Sequence, residues 1–168
     1  PAVQFLREQI RTGAIGDLVS LHQERLNLGR ARSVENVLWS LGVHDVAVAL
    51  YLVGEKPQGV LATGLATLTE AVEDDVYLHI DYPSGVKSHL HCSWLWPSLR
   101  RRTTVIGTEG MLVYNETEQQ VVELVLQDLE GPGVHAPAAA LRIALVAVQG
   151  TAAARVRACP RGRERGGQ

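Results

Sequence analysis

The spacing of apolar residues changes once along this chain, and the change separates a helical beginning from a sheet-like body. Val3, Leu6 and Ile10 recur at helical spacing between Pro1 and Thr12, and Gly13 is a natural stop. Leu18 to Leu26 alternates apolar with polar positions and predicts a strand, followed by a polar loop from Asn27 to Asn36. Val37 to Val53 is the longest helical pattern: Leu38, Leu41, Val48 and Leu52 fall on or near one stripe, which Gly54 ends. Gly42 sits inside that helix at a cost of about 1 kcal/mol against Ala. Such a glycine implies close approach by another backbone or by a ligand.

From Pro57 to Gln127 the period becomes two. The expected strands are Gly59–Thr69, Asp75–Tyr82, Val86–Trp96, Arg101–Gly107, Met111–Tyr114 and Gln120–Gln127, with turns at Pro83-Ser84-Gly85 and at Gly107-Thr108-Glu109-Gly110. Short links imply antiparallel neighbours. The fold class is therefore α+β, an open, mostly antiparallel sheet with the helices packed on one face. If the Pro83-Ser84-Gly85 turn pairs Tyr82 with Val86, then His79 faces His89 and Tyr77 faces His91. Val76, Leu78, Ile80, Leu90, Cys92 and Trp94 then share the buried face.

After Glu130 the pattern stops. Residues 131–168 are dominated by Ala, Arg, Gly and Pro and contain no aromatic residue. Ala136 to Val148 is the one stretch there that suits a helix, and Thr151 to Gln168 is expected to be extended or poorly ordered. The domain proper is thus read as residues 1–130, followed by an atypical, partly disordered tail.

Charge sharpens that division. Residues 1–130 hold 10 Lys and Arg against 17 Asp and Glu, a net of −7, whereas residues 131–168 carry +5. An acidic body speaks against a nucleic-acid partner, which needs a basic face. No run approaches the roughly 20 apolar residues that span a bilayer, so no membrane partner is expected. The two cysteines, Cys92 and Cys159, can form neither a disulfide framework nor a zinc ribbon, which makes a cytoplasmic setting the default. The chain starts at Pro1 rather than Met, so its true N-terminus is expected to be missing.

The densest run of reactive residue types is Asn27 to Asp45. It places Arg30, Arg32, Glu35 and Asn36 in a loop that feeds a helix carrying Trp39, Ser40, His44 and Asp45. Ser40 and His44 are four apart and share one helical face. A histidine there can exchange a proton near neutral pH, as oxidation of a carbinol requires. The plainer alternative is a polar helix start with a core histidine bonded to a backbone carbonyl. His79, His89 and His91 on one sheet face could hold zinc. The preferred reading is a wet face or a subunit contact, and we assign no metal site. Arg100-Arg101-Arg102 reads as a solvated strand edge. The sequence contains no G-x-G-x-x-G, P-loop or nucleophile elbow, so no cofactor-binding residue is assigned.

Several motifs, taken in order, resemble the C-terminal domain of the Gfo/Idh/MocA oxidoreductases over residues 1 to about 127. They are PAVQFLREQIRTGAIGDL, the Ser40/His44 helix, GEKPQGVLATG, YPSGVKSHLHCSW and VIGTEGMLVYN. The resemblance implies a glyceraldehyde-3-phosphate-dehydrogenase-like C-terminal domain that serves substrate binding and oligomerisation. It also implies that His44 helps to move the proton of a sugar hydroxyl. Ser40 stands where the family usually has aspartate, and R-x-x-E-N-x-L-W-S followed by H-D resembles a branch acting on nucleotide-linked amino-sugar uronates. Arg30 and Arg32 would suit a carboxylate or phosphate, whose oxygens the guanidinium fork matches. Asn36, Trp39 and Ser40 complete the expected substrate contacts. Glu55-Lys56-Pro57 copies the family's lysine motif in the wrong place, after the histidine helix, so Lys56 is read as a solvated turn residue.

The expectation is a fragment of an NAD(P)-dependent oxidoreductase acting on a sugar or nucleotide sugar. NAD or NADP would be used by the full-length enzyme and bound by nothing on this chain, because the nucleotide-binding domain is absent. The chain alone should then be inactive, and a homo-oligomer would form through the sheet face. The alternative is a non-catalytic sugar-binding or assembly module derived from the same family.

Overall fold

A computed structural model describes residues 1–29, 32, 34–125 and 142–147. Helix α1 (Ala2–Arg11) leads into strand β1 (Leu18–Leu28). A π-helical turn, Leu38–Gly42, runs directly into α2 (Val43–Val53). Seven strands follow: β2 (Gly59–Leu65), β3 (Asp75–Asp81), β4 (Lys87–Ser93), β5 (Leu95–Gly107), β6 (Gly110–Asn115), β7 (Gln120–Val125) and β8 (Arg142–Ala147). They form one sheet in the order β2-β3-β4-β1-β5-β6-β7-β8, antiparallel throughout except for the parallel pair β1–β4. The α+β class and the open sheet stand as the alternation implied.

Two departures have clear physical causes. The run expected as one strand from Val86 to Trp96 breaks at Trp94, where Gly29 N–H donates to the Trp94 carbonyl at 2.9 Å. The chain passes over the end of β1 there and returns on its other side as β5, so β1 interrupts the expected meander. The second departure is a correction: within Ala136–Val148, expected as a helix, residues Arg142–Ala147 form a strand paired with β7 in the register Gln120↔Ala147 to Val125↔Arg142. Without β8, β7 would present unpaired backbone groups, and a short run containing Ile143 and Val146 satisfies them better than a local helix does. The sheet thus continues beyond residue 130. The expectation for Thr151 to Gln168 lies outside the described residues.

The turn between β3 and β4 behaves as its sequence requires. Tyr82 N–H donates to the Val86 carbonyl at 3.1 Å, and Gly85 takes φ +89°, which costs a glycine nothing. The resulting register pairs His79 with His89 and Tyr77 with His91. Leu78, Ile80 and Leu90 turn to the other face, under Leu38, Val46 and Val53. Leu6, Ala49 and Leu52 of the helices pack on Leu21, Val105, Leu112 and Val121 of the same face. Both helices therefore cover one side, and burial of these side chains at about 1.5–3 kcal/mol each holds them there. Among the described residues no helix is long and apolar enough to cross a membrane.

Candidate functional site

The start of the second helical segment is built by Asn36. Its Oδ1 accepts from Trp39 N–H at 3.1 Å, and its Nδ2 donates to the Glu73 carboxylate at 2.9 Å. The first contact caps the helix, and the second ties the cap to the loop before β3. The turn that follows is π-helical, a feature that widens a helix locally and is frequent at functional sites. Gly42 lies at its end. A Cβ there would sit 2.7 Å from Leu38 Cδ1 and 3.1 Å from Cys92 Sγ. The close approach implied by this glycine is thus to side chains of the helix itself and of β4, which leaves no open cradle for a ligand.

Asp45, next to His44, fixes the helix to the sheet. Arg25 of β1 grips its carboxylate with Nε at 2.8 Å and Nη2 at 3.0 Å, and Arg25 Nη1 reaches Glu116 at 3.1 Å. Burial pushes the Asp45 pKa above its ordinary value, although Arg25 opposes the shift. Burial also works against the Arg25 charge, but hydrogen bonding and attraction from Asp45, with a further contribution from Glu116, raise its pKa overall. The two-pronged geometry is that of an ionised pair.

With Asp45 held inward, the opposite side of α2 faces out. His44 is exposed beside half-buried Ser40, while Trp39 is 72% exposed and Val43 and Leu50 are each 38% exposed. Trp39, Val43, Ala47 and Leu50 follow helical spacing, so they form an outward apolar stripe next to the histidine. Arg32 is exposed and paired with Glu35. Arg30 lies outside the described residues. Lys56 is exposed just beyond α2, as expected of a turn residue.

A groove of ≈ 590 Å³ lies elsewhere, across the uncovered face of the sheet. None of His44, Ser40, Trp39, Asn36 and Arg32 lines it. His22, His79, His89, His91, Trp96 and Arg102 are among its lining residues. His22 was not singled out from the sequence. It joins the others because β1 pairs in parallel with β4, which sets His22 beside His89. His91 instead stacks on Tyr77 at 3.9 Å and meets the Asp75 carboxylate at 3.2 Å. Arg100 and Arg102 both bind Glu24, at 3.0 and 2.9 Å, whereas Arg101 lies 3.9 Å from Glu116. Among the described residues no group of three or more His, Cys, Asp or Glu side chains is arranged to hold a metal ion.

The family model of the GFO/IDH/MocA C-terminal domain matches residues 3–113. The chain belongs to this family. Solved structures share the fold of this GFO/IDH/MocA domain. UDP-N-acetylglucosamine 3-dehydrogenase GnnA from Acidithiobacillus ferrooxidans is 24% identical with a TM-score of 0.69, over 87% of this chain and 44% of that one. An inositol dehydrogenase homologue from Azotobacter vinelandii, complexed with NADH and myo-inositol, is 17% identical with a TM-score of 0.69, over 81% and 41%. A putative NADPH-dependent oxidoreductase from Desulfitobacterium hafniense is 18% identical with a TM-score of 0.70, over 86% and 46%. The chain thus spans less than half the length of each. A sequence comparison with curated proteins finds no match.

Proposed function

We propose that this chain is the substrate-side part of an NAD(P)-dependent oxidoreductase acting on a sugar or nucleotide-sugar hydroxyl or ketone. The observation that carries the reading is His44, exposed at the head of α2 beside an outward apolar stripe, in a domain of this family. Large apolar side chains in a contiguous exposed row mark a surface that something covers. A nucleotide-binding half seated on Trp39, Val43 and Leu50 would close a cleft over His44 and Ser40.

The residues present do not fit the dinucleotide. Among the described residues no glycine-rich loop opens a helix, and Gly42 is packed against Leu38 and Cys92. No hydride step is assigned to this chain. Its part is the proton: neutral His44 takes the proton of the reacting hydroxyl on oxidation and returns it on reduction. Arg30 and Arg32 would pair with a carboxylate or phosphate of the substrate, and Asn36, Trp39 and Ser40 would line the approach. The residues R-x-x-E-N-x-L-W-S and H-D favour a nucleotide-linked amino-sugar uronate. A second copy docks on the uncovered sheet face, where Leu61, Leu65 and Tyr77 are exposed.

The test is His44→Ala in the chain joined to a nucleotide-binding half. Turnover should fall by about 10²–10⁴-fold with KM little changed. Near-normal turnover would remove His44 from the mechanism. The second reading, a sugar-binding or assembly module, is favoured by the groove across the uncovered sheet face, away from His44; it predicts sugar binding with no turnover in any such fusion.

A further inference from the structure

Three of the imidazoles on the uncovered face, those of His22, His79 and His89, stand on three adjacent strands. The register sets His79 of β3 opposite His89 of β4, and His89 beside His22 of β1. His79 Nδ1 and His89 Nδ1 are 2.7 Å apart. The His22 ring stacks on His89 with centroids at 4.8 Å and an interplanar angle of 30°. His22 Nε2 also lies 3.3 Å from Ser20 Oγ.

An Nδ1···Nδ1 contact of this length holds one shared proton. One ring donates and the other accepts, since two lone pairs or two N–H groups would repel. The pair can be neutral or singly charged in this geometry; a second charge forces the rings apart.

Asp81 favours a charge on His89, but Lys87 opposes it, and each nearby carboxylate already has a partner. Asp81 is taken by Lys87 on the flanking row, Asp75 by His91, and Glu24 by Arg100 and Arg102. On the outer strands, β2 places Leu61 and Thr63 beside His79 and Tyr77, and β5 places Thr104 beside His22. No carboxylate among these described neighbours is left to neutralise a second imidazolium.

We propose that His79, His89 and His22 form a pH-sensitive latch on the uncovered face, a row that carries at most one positive charge at neutral pH and separates when acid forces in a second. The pKa of His89 is lowered, first by burial and then by His22 and His79, in keeping with that row. Once open, the row adds positive charge to a face on which Lys87, Arg100 and Arg102 already pair with Asp81 and Glu24. Repulsion between two like faces then weakens face-to-face pairing. That consequence, and not the latch itself, rests on the second-copy reading above.

The experiment uses this chain, with imidazole resonances followed by NMR from about pH 8 to about pH 5, the range in which histidine charge changes. The latch predicts proton uptake by the row in separated steps, with the His89 midpoint below 6.5, the value ordinary for the group. It also predicts that His79→Gln raises this midpoint. Three independent titrations, with His89 unmoved by His79→Gln, would overturn it. The wild-type titration decides alone if the variant does not fold. Sedimentation at both pH limits adds a separate arm. A dimer at high pH that dissociates in acid, and persists in His79→Gln/His89→Gln, supports the consequence. A monomer at both limits refutes the second copy while leaving the titration to judge the latch. A dimer untouched by acid, despite separated steps, refutes the link between them.

Discussion

Replacing Arg25 with Met should be the most damaging single change of charge in this domain. The Arg25 side chain is 15% exposed and that of Asp45 5%, which places their contact among buried pairs rather than surface ones. Methionine fills much of the space but leaves the Asp45 carboxylate buried without its two hydrogen bonds. Glu116, formerly held by the same guanidinium at 3.1 Å, becomes an unscreened like charge nearby. Breaking a buried pair by removing one partner costs about 3–5 kcal/mol. In a domain of this size that loss lowers Tm by about 10–20 °C. Asp45→Asn is gentler, at about 2 kcal/mol or less, because Arg25 keeps Glu116 and the burial cost of the carboxylate disappears. Urea unfolding followed by circular dichroism measures both. The pH dependence supplies a sharper test. The Asp45 pKa in the fold already lies above its ordinary 3.8 because of burial, and loss of Arg25 drives it higher. A raised carboxyl pKa gives stability that is present at low pH and lost as pH rises through the folded value. The Arg25→Met deficit should therefore shrink between about pH 7 and about pH 4.5 as Asp45 takes up a proton. A deficit under about 1 kcal/mol, or one equal at both pH values, would refute the account of Asp45 as a buried charge dependent on Arg25.

Two further outcomes follow from packing. Gly107→Ala would set a Cβ 2.1 Å from the Ile15 carbonyl oxygen, so backbone must move, and denaturant unfolding should show a loss of about 1–3 kcal/mol. The Cys92 thiol is pushed up to about 12 by burial, with Asp45 adding to the shift. In a Cys159→Ser background, a disulfide reagent at about pH 8 should find no thiol in the folded chain and one after denaturation; rapid reaction of the native chain would contradict the burial.

Much of the fold was legible in local patterns. Alternation through Asp75–Asp81 and Lys87–Ser93, with one proline-serine-glycine turn between them, fixed the β3–β4 register to the residue, because a one-residue slip would have turned Leu78, Ile80 and Leu90 to solvent. Several motifs taken in order from Pro1 to about residue 127 resembled the family from the chain alone, and the match over residues 3–113 agrees. What the sequence could not show depended on pairing between distant segments. No turn links β1 to β4, so nothing local announced that His22 would stand beside His89, or that β1 would part β4 from β5. Arg25 and Asp45, twenty residues apart, looked like unrelated charges until β1 and α2 met across the core. The strand at Arg142–Ala147 likewise took its form from the edge of β7, where backbone groups required partners. Side-chain periodicity sets which face a segment buries; only the tertiary structure decides which segments share that face, because the free energy that chooses between them comes from contacts each segment lacks alone.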